Sequence, residues 1–179
     1  MEVAAGTAVQ FIIRHGAGFS ACVTSKKSQH TLCLRSGLPI PAPRWLTARL
    51  PPEPLDGELW LARGRFDALS AVVRRQHPVD ADWAAVRFMV FELPHGDGNF
   101  AARAARIGSM VRRVGWLPLV AVEQFRLDSR YALARRLDAV VRDGGEGLVL
   151  HRADAPWGAG RDGTLLTRVR KHSVNPYRA

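Results

Sequence analysis

Lysine is nearly missing from this chain. Of its 26 basic residues only Lys26, Lys27 and Lys171 are lysines, and the other 23 are arginines. Chemistry that needs a side-chain amine has few places to occur, whereas the planar guanidinium suits forked contacts to phosphate and carboxylate. Cysteine is equally sparse. Cys22 and Cys33 lack an accompanying Cys/His set, which argues against a structural zinc motif or a disulfide framework. The pair reads as two reduced, structural thiols, with a single disulfide between them left open. No run approaches the roughly 20 apolar residues that cross a bilayer, so no membrane partner is expected. Met1 to Val23 has no basic residue before Arg14 and no sustained apolar stretch, so a secretory signal is not expected and a cytoplasmic location is. Acids are few as well: 16 of them leave a formal charge of +10 and a pI near 11.1. A polyanion is the natural partner class.

The 179 residues are 47% hydrophobic and 8% aromatic, enough for one substantial core and too few for two full-sized domains. Ala8 to Arg14, Phe19 to Thr24 and Thr31 to Leu34 are short β-leaning runs that suggest small antiparallel strands. The prolines between Leu38 and Pro54 preclude regular helix or central strand at those points, which are expected to be connecting loops around Trp45. Leu55 to Ala62 then reads as a strand, and Phe66, Leu69, Val72 and Val73 recur at helical spacing. A polar stretch from Gln76 to Asp82 leads into the dense strand Val86 to Leu93. Asn99 is placed to cap a helix whose Phe100, Ala104, Ile107, Val111 and Val114 share a face, with Arg103, Arg106, Arg112 and Arg113 on a basic outer side. Leu117 to Leu127 is one more strand candidate. Asp128 or Ser129 can cap a second helix that Gly144 and Gly145 end, and Glu146 to Arg152 and Leu165 to Val169 are the last strands. The expected class is α+β, mainly antiparallel sheets with helices inserted between strands, in a single domain spanning 1–179.

Three segments carry candidate chemistry. In Leu55-Asp56-Gly57-Glu58-Leu59-Trp60 two carboxylates lie two residues apart, hence on one face of a strand. Such a pair holds Mg²⁺ or hydrogen-bonds a ribose, or is a solvated strand edge. In Gly144-Gly145-Glu146-Gly147-Leu148-Val149-Leu150-His151 a lone acid stands between glycines at the mouth of an apolar strand, as a metal ligand or as an acid of the helix end that faces water. In Arg87-Phe88-Met89-Val90-Phe91-Glu92-Leu93-Pro94 both strand faces are apolar, so an aromatic ring there is either core or a platform for a flat ligand.

Taken in order, these three segments resemble the covalent nucleotidyltransferases, and among them the minimal bacterial ATP-dependent DNA ligases. The resemblance extends over roughly Thr31 to Leu166 and includes Leu34-Arg35-Ser36-Gly37, Arg63-Gly64-Arg65-Phe66 and Gly160-Arg161. It implies an ATP-grasp-like adenylation fold and a three-step reaction: a lysine takes AMP from ATP, AMP passes to the 5′-phosphate at a nick in duplex DNA, and the 3′-hydroxyl seals it. It implies further that Glu58 meets the ribose or metal, Phe91 stacks on adenine, Glu146 holds Mg²⁺ or Mn²⁺, and Arg35 contacts nucleotide or DNA phosphates. A role for Asp56 is left open. Roles in DNA repair, replication and recombination come with the family, as does a monomeric state; relatives of this type often act in the periplasm.

The chain departs from that pattern at both ends. The family's Lys-x-Asp-Gly is absent: its lysine would fall near Phe19, and Lys26 and Lys27 are out of register, which leaves the nucleophile unassigned and about 30 residues divergent. In place of Leu-Leu-Lys-x-Lys stands Leu165-Leu166-Thr167-Arg168-Val169-Arg170, where Arg168 and Arg170 alternate onto one face one place late. The family's small OB domain has no room before Ala179 and is expected to be absent. Two readings follow: a DNA ligase homologue whose self-adenylation is in question, and a non-catalytic remnant that binds nucleotide or nucleic acid through arginines.

Overall fold

The three β-leaning runs nearest the N-terminus form strands, yet they do not share a sheet. The computed structural model describes residues 9–14, 19–26, 29–34, 36–158 and 166–169. Strands β2 (Phe19–Lys26) and β3 (Gln29–Leu34) form a hairpin that continues through β4 (Leu55–Trp60), β5 (Arg87–Glu92) and β6 (Leu119–Ala121), in the order β3-β2-β4-β5-β6. Strand β1 (Val9–Arg14) lies instead in a second sheet with β7 (Gln124–Leu127), β8 (Gly147–Arg152) and β9 (Leu166–Val169), in the order β7-β1-β8-β9. Pairing is antiparallel throughout these strands except between β5 and β6. Those two run parallel because the helix α4 (Phe100–Val114) carries the chain back between them, as a parallel pair requires.

Leu117 to Leu127, expected as one strand, is two. The chain leaves the five-stranded sheet after Ala121 and enters the other sheet at Gln124. Local apolar alternation is the same on either side of the crossing, so the pattern cannot show where the partner changes. The polar stretch after Gln76 also holds more than a loop. It runs into the short helix α3 (Asp80–Trp83), whose Trp83 is wholly buried and anchors the turn in the core.

The stretch around Trp45, expected as loop, holds the one-turn helix α1 (Arg44–Thr47), because Pro43 stands at its N-cap where no N–H is needed; α2 (Phe66–Val73) also precedes α4, and α5 (Arg130–Arg142) follows β7. Asn99 caps α4, its side chain accepting from the Ala102 N–H at 3.0 Å, and Ser129 caps α5 by accepting from Ala132 at 3.1 Å. The main core lies where Leu55, Leu59, Phe88 and Val90 of the five-stranded sheet meet Leu69, Val73, Ile107 and Met110 of α2 and α4. A smaller cluster packs Leu137 and Val140 of α5 on Leu148 and Leu150 of β8. A third joins Phe100 and Val122 to Met89, Phe91 and Val149, and it is here that β5 and β8, from different sheets, approach each other. Among the described residues no helix is long and apolar enough to cross a membrane.

Candidate functional site

The face of the five-stranded sheet turned away from the main core carries the polar groups. Along β4 burial alternates: Leu55, Gly57 and Leu59 are buried, while Asp56, Glu58 and Trp60 are half-buried on the other side. Glu58 pairs directly with Met89 of β5, so the two side chains leave the same face. The register then jumps from Gly57–Val90 to Asp56–Glu92, a bulge that makes Phe91 the extra residue. Such bulges re-aim a side chain, and Phe91 is half-buried beside Met89 and Val149. Glycine is required at position 57 because a Cβ there would stand 2.5 Å from the Met89 carbonyl oxygen and 2.7 Å from the Phe88 ring. The Asp-Gly-Glu sequence thus serves two ends: its acids lie on the sheet face turned away from the main core, and its glycine lets β4 and β5 close up beneath them.

A buried ion pair braces the end of β5. Arg103 of α4 is fully buried and grips Glu92 with both arms of its fork, Nε donating to Oε1 at 2.7 Å and Nη2 to Oε2 at 2.9 Å. Its remaining arm donates to the carbonyls of Gly98 at 2.8 Å and Ala155 at 3.3 Å. The first N–H groups of α4 complete the junction, Phe100 donating to Ala155 and Ala101 to Ala153. One helix end therefore fastens β5, next to Phe91, to the segment that follows β8. The Phe100 ring stacks on the imidazole of His151, centroids 3.7 Å apart and planes within 4°. Burial holds the His151 pKa below its ordinary value, opposed in part by the carbonyl of Arg152, 3.0 Å from Nδ1.

Arg103 corrects the expectation of a basic outer side on α4. Arg106, Arg112 and Arg113 are exposed as expected, but Arg103 shares the inward spacing of Phe100, Ile107 and Met110. A polarity rule sets every arginine outside; the spacing itself was the signal that would have found this one.

The structure brings Glu58 and Phe91 to one side of one sheet. Glu146 stands elsewhere, exposed at the head of β8, just after the glycine turn that ends α5. Arg168 lies on β9 opposite Val149, while Arg35 and Arg170 fall outside the described residues. The position at which the resemblance sets a lysine, Phe19, pairs with Leu59, and its neighbour Ser20 pairs with Glu58. Lys26 is at the far end of the same strand, opposite Gln29. Seven residues at about 3.3 Å each separate it from position 19, roughly 23 Å.

Comparison with known proteins bears on the fold and the sequence as a whole. A solved Lig E DNA ligase superposes with a TM-score of 0.78 at 32% identity, over 93% of this chain and 62% of that one. In sequence and fold this chain is similar to a Lig E DNA ligase. A DNA ligase of Haemophilus influenzae is 25% identical over 135 residues, which is 75% of this chain and 50% of that protein. The adenylate form of the Chlorella virus DNA ligase shares the fold, with a TM-score of 0.70 at 18% identity over 89% of this chain and 61% of that one. The chain thus spans between half and two thirds of the length of these ligases. No protein-family model matches it.

Proposed function

We propose that this chain is the nucleotide-binding core of an ATP-dependent DNA ligase. ATP enters the cleft beside Glu58, Met89 and Phe91, and its adenylate is destined for the 5′-phosphate at a nick in duplex DNA. The observation that carries the reading is the single sheet face on which Asp56, Glu58 and Phe91 come together, with the bulge at Phe91 and the close approach at Gly57. Identity of 32% with a Lig E DNA ligase over 93% of the chain supports it. In this reading Phe91 is a platform for adenine, a contact worth about 1–3 kcal/mol, and Glu58 accepts from a ribose hydroxyl. Arg168, Arg170 and Arg35 neutralise phosphates, and the exposed arginines of α4 and α5 meet the DNA backbone.

The reaction calls for a divalent ion, Mg²⁺ or Mn²⁺, and the donor set bears on it. No group of three metal-ligating side chains forms among the described residues. Mg²⁺ ordinarily uses only one or two carboxylates and completes its shell with water and substrate phosphates. One carboxylate suffices for such a shell, so Glu58 on β4 and Glu146 at the head of β8 are two candidate ligands that would each supply it, not one shared pair. Bound there it would offset the charge that builds on the phosphate oxygens during transfer.

A second reading, a remnant that binds nucleotide or nucleic acid without the covalent step, is favoured by one observation. In-line attack on the α-phosphate needs reacting atoms about 3–3.5 Å apart, and Lys26 begins at the wrong end of β2. The deciding experiment incubates the folded chain with α-labelled ATP and Mg²⁺, then separates it under denaturing conditions. A labelled band that Lys26→Ala or Lys27→Ala abolishes establishes a relocated nucleophile and a working adenylation step. No band, with ATP still bound in solution, selects the remnant.

A further inference from the structure

Cys22 and Cys33 are far enough apart in sequence to look unrelated, yet they are direct partners across the β2–β3 hairpin. Residues opposed in an antiparallel pair have Cα atoms about 4.5 or 5.5 Å apart. Both values lie within the span of about 4.4–6.8 Å that a disulfide bridges. As directly opposed residues, they send their side chains to the same face, one beside the other. Cys22 is half-buried and Cys33 is buried behind it, and both are free thiols. Thr24 Oγ1 lies 4.0 Å from the Cys33 sulfur. On its other side Cys22 pairs with Asp56, and Asp56 in turn with Glu92, so a single row crosses four strands as Cys33, Cys22, Asp56 and Glu92.

We infer that Cys22 and Cys33 are an oxidation site: a small-molecule disulfide such as oxidised glutathione converts them into one intramolecular disulfide beside Asp56. The Cys22 thiolate, the more exposed of the two, attacks one sulfur of the oxidant and expels a glutathione thiolate. Cys33, directly opposite, then attacks the Cys22 sulfur of the mixed disulfide and expels the second. The protein gives up two electrons and two protons, and two molecules of reduced glutathione carry them away. Burial, the neighbouring Cys33 and the carboxylate of Asp56 together push the Cys22 thiol pKa up. The pair is therefore slow to react at neutral pH and speeds up as the pH rises, because the thiolate is the nucleophile. The site stands on the hairpin geometry and is independent of the nucleotide reading.

The test treats the native chain with oxidised glutathione at pH 8.5, quenches with acid, and maps peptides by mass spectrometry with and without dithiothreitol. The expected product lacks two hydrogens, carries no glutathione, and links the peptides holding Cys22 and Cys33; dithiothreitol restores the thiols. Cys22→Ser and Cys33→Ser, each confirmed folded by circular dichroism, should block ring closure, with Cys33→Ser retaining a stable glutathione adduct on Cys22. Wild-type protein that stops at a glutathione adduct, pairs between chains, or stays reduced while the urea-unfolded chain reacts would overturn the inference.

Discussion

Helices α4 and α5 read alike in sequence, each opened by a capping residue, studded with arginine and apolar along one side. Their arginines behave differently. In α4, Arg103 is drawn into the core and spends its whole fork on Glu92, Gly98 and Ala155. In α5, Arg136 makes a loose approach of 3.7 Å to Glu123 and lies over the Phe125 ring at 4.5 Å, while Arg135 and Arg142 are exposed. A buried guanidinium is tolerated when its donors are matched, and a matched fork ties together whatever carries the acceptors. For α4 those are the strand that ends in Glu92, next to Phe91, and the segment beyond β8. The difference divides the arginines of the two helices into one that ties β5 to the segment beyond β8 and others that leave their charge at the surface.

The largest effect should come from breaking the buried fork. Arg103→Ala leaves the Glu92 carboxylate without its partner, and a loss of about 3–5 kcal/mol is expected in urea unfolding. A loss no greater than that of an exposed arginine would erase the distinction between the helices. Replacing the caps probes what the helices have in common. Asn99→Ala and Ser129→Ala should each lower stability by about 1 kcal/mol, and a much larger loss at Asn99 would mean that the cap also holds the junction with β8.

Much of this architecture is legible in the sequence, and the gaps have a common cause. The strands β4, β5 and β8 and the caps of α4 and α5 follow from local signals, namely alternation, helical spacing and a side-chain oxygen at the right place. That Asp56 shares a face with Glu58, and Met89 with Phe91, was legible from period-two alternation; that the two sets lie on one sheet face follows only from the β4–β5 register. Whatever depends on a partner remote in sequence was not legible. The burial of Arg103 needs Glu92 on another strand, and the break in Leu117 to Leu127 needs a second sheet to receive β7. Cys22 and Cys33 become neighbours only once the hairpin register is known. Each then lies four residues in from the Lys26–Gln29 pair.

A smaller effect, in pH, separates the α4 junction from α5. His151 keeps its folded pKa below the unfolded value of 6.5 because it is buried against Phe100. Below that value the unfolded chain binds a proton that the folded chain refuses, so stability falls on acidification and rises with pH until the unfolded imidazole is neutral. His151→Gln should flatten that slope in unfolding curves taken from neutral pH downward. An unchanged slope would assign it elsewhere. The smallest expected loss of stability is at α5: Arg136→Ala should cost about 0–1 kcal/mol. On the proposed function its effect is on DNA affinity instead, where each phosphate contact removed lowers the salt-dependence slope by about 0.9. A wild-type slope in Arg136→Ala would take this arginine off the DNA surface.

The most direct test of the central claim is equilibrium binding of ATP to the folded chain, with Phe91→Ala, Glu58→Ala and Arg136→Ala measured beside it. Saturable binding that weakens about tenfold or more on loss of the Phe91 ring, a change within the range of base stacking, that falls also with Glu58→Ala, and that is unmoved by Arg136→Ala, is the predicted result. Binding equal in wild type and Phe91→Ala, or none at all by protein shown to be folded, would contradict a nucleotide cleft on this face.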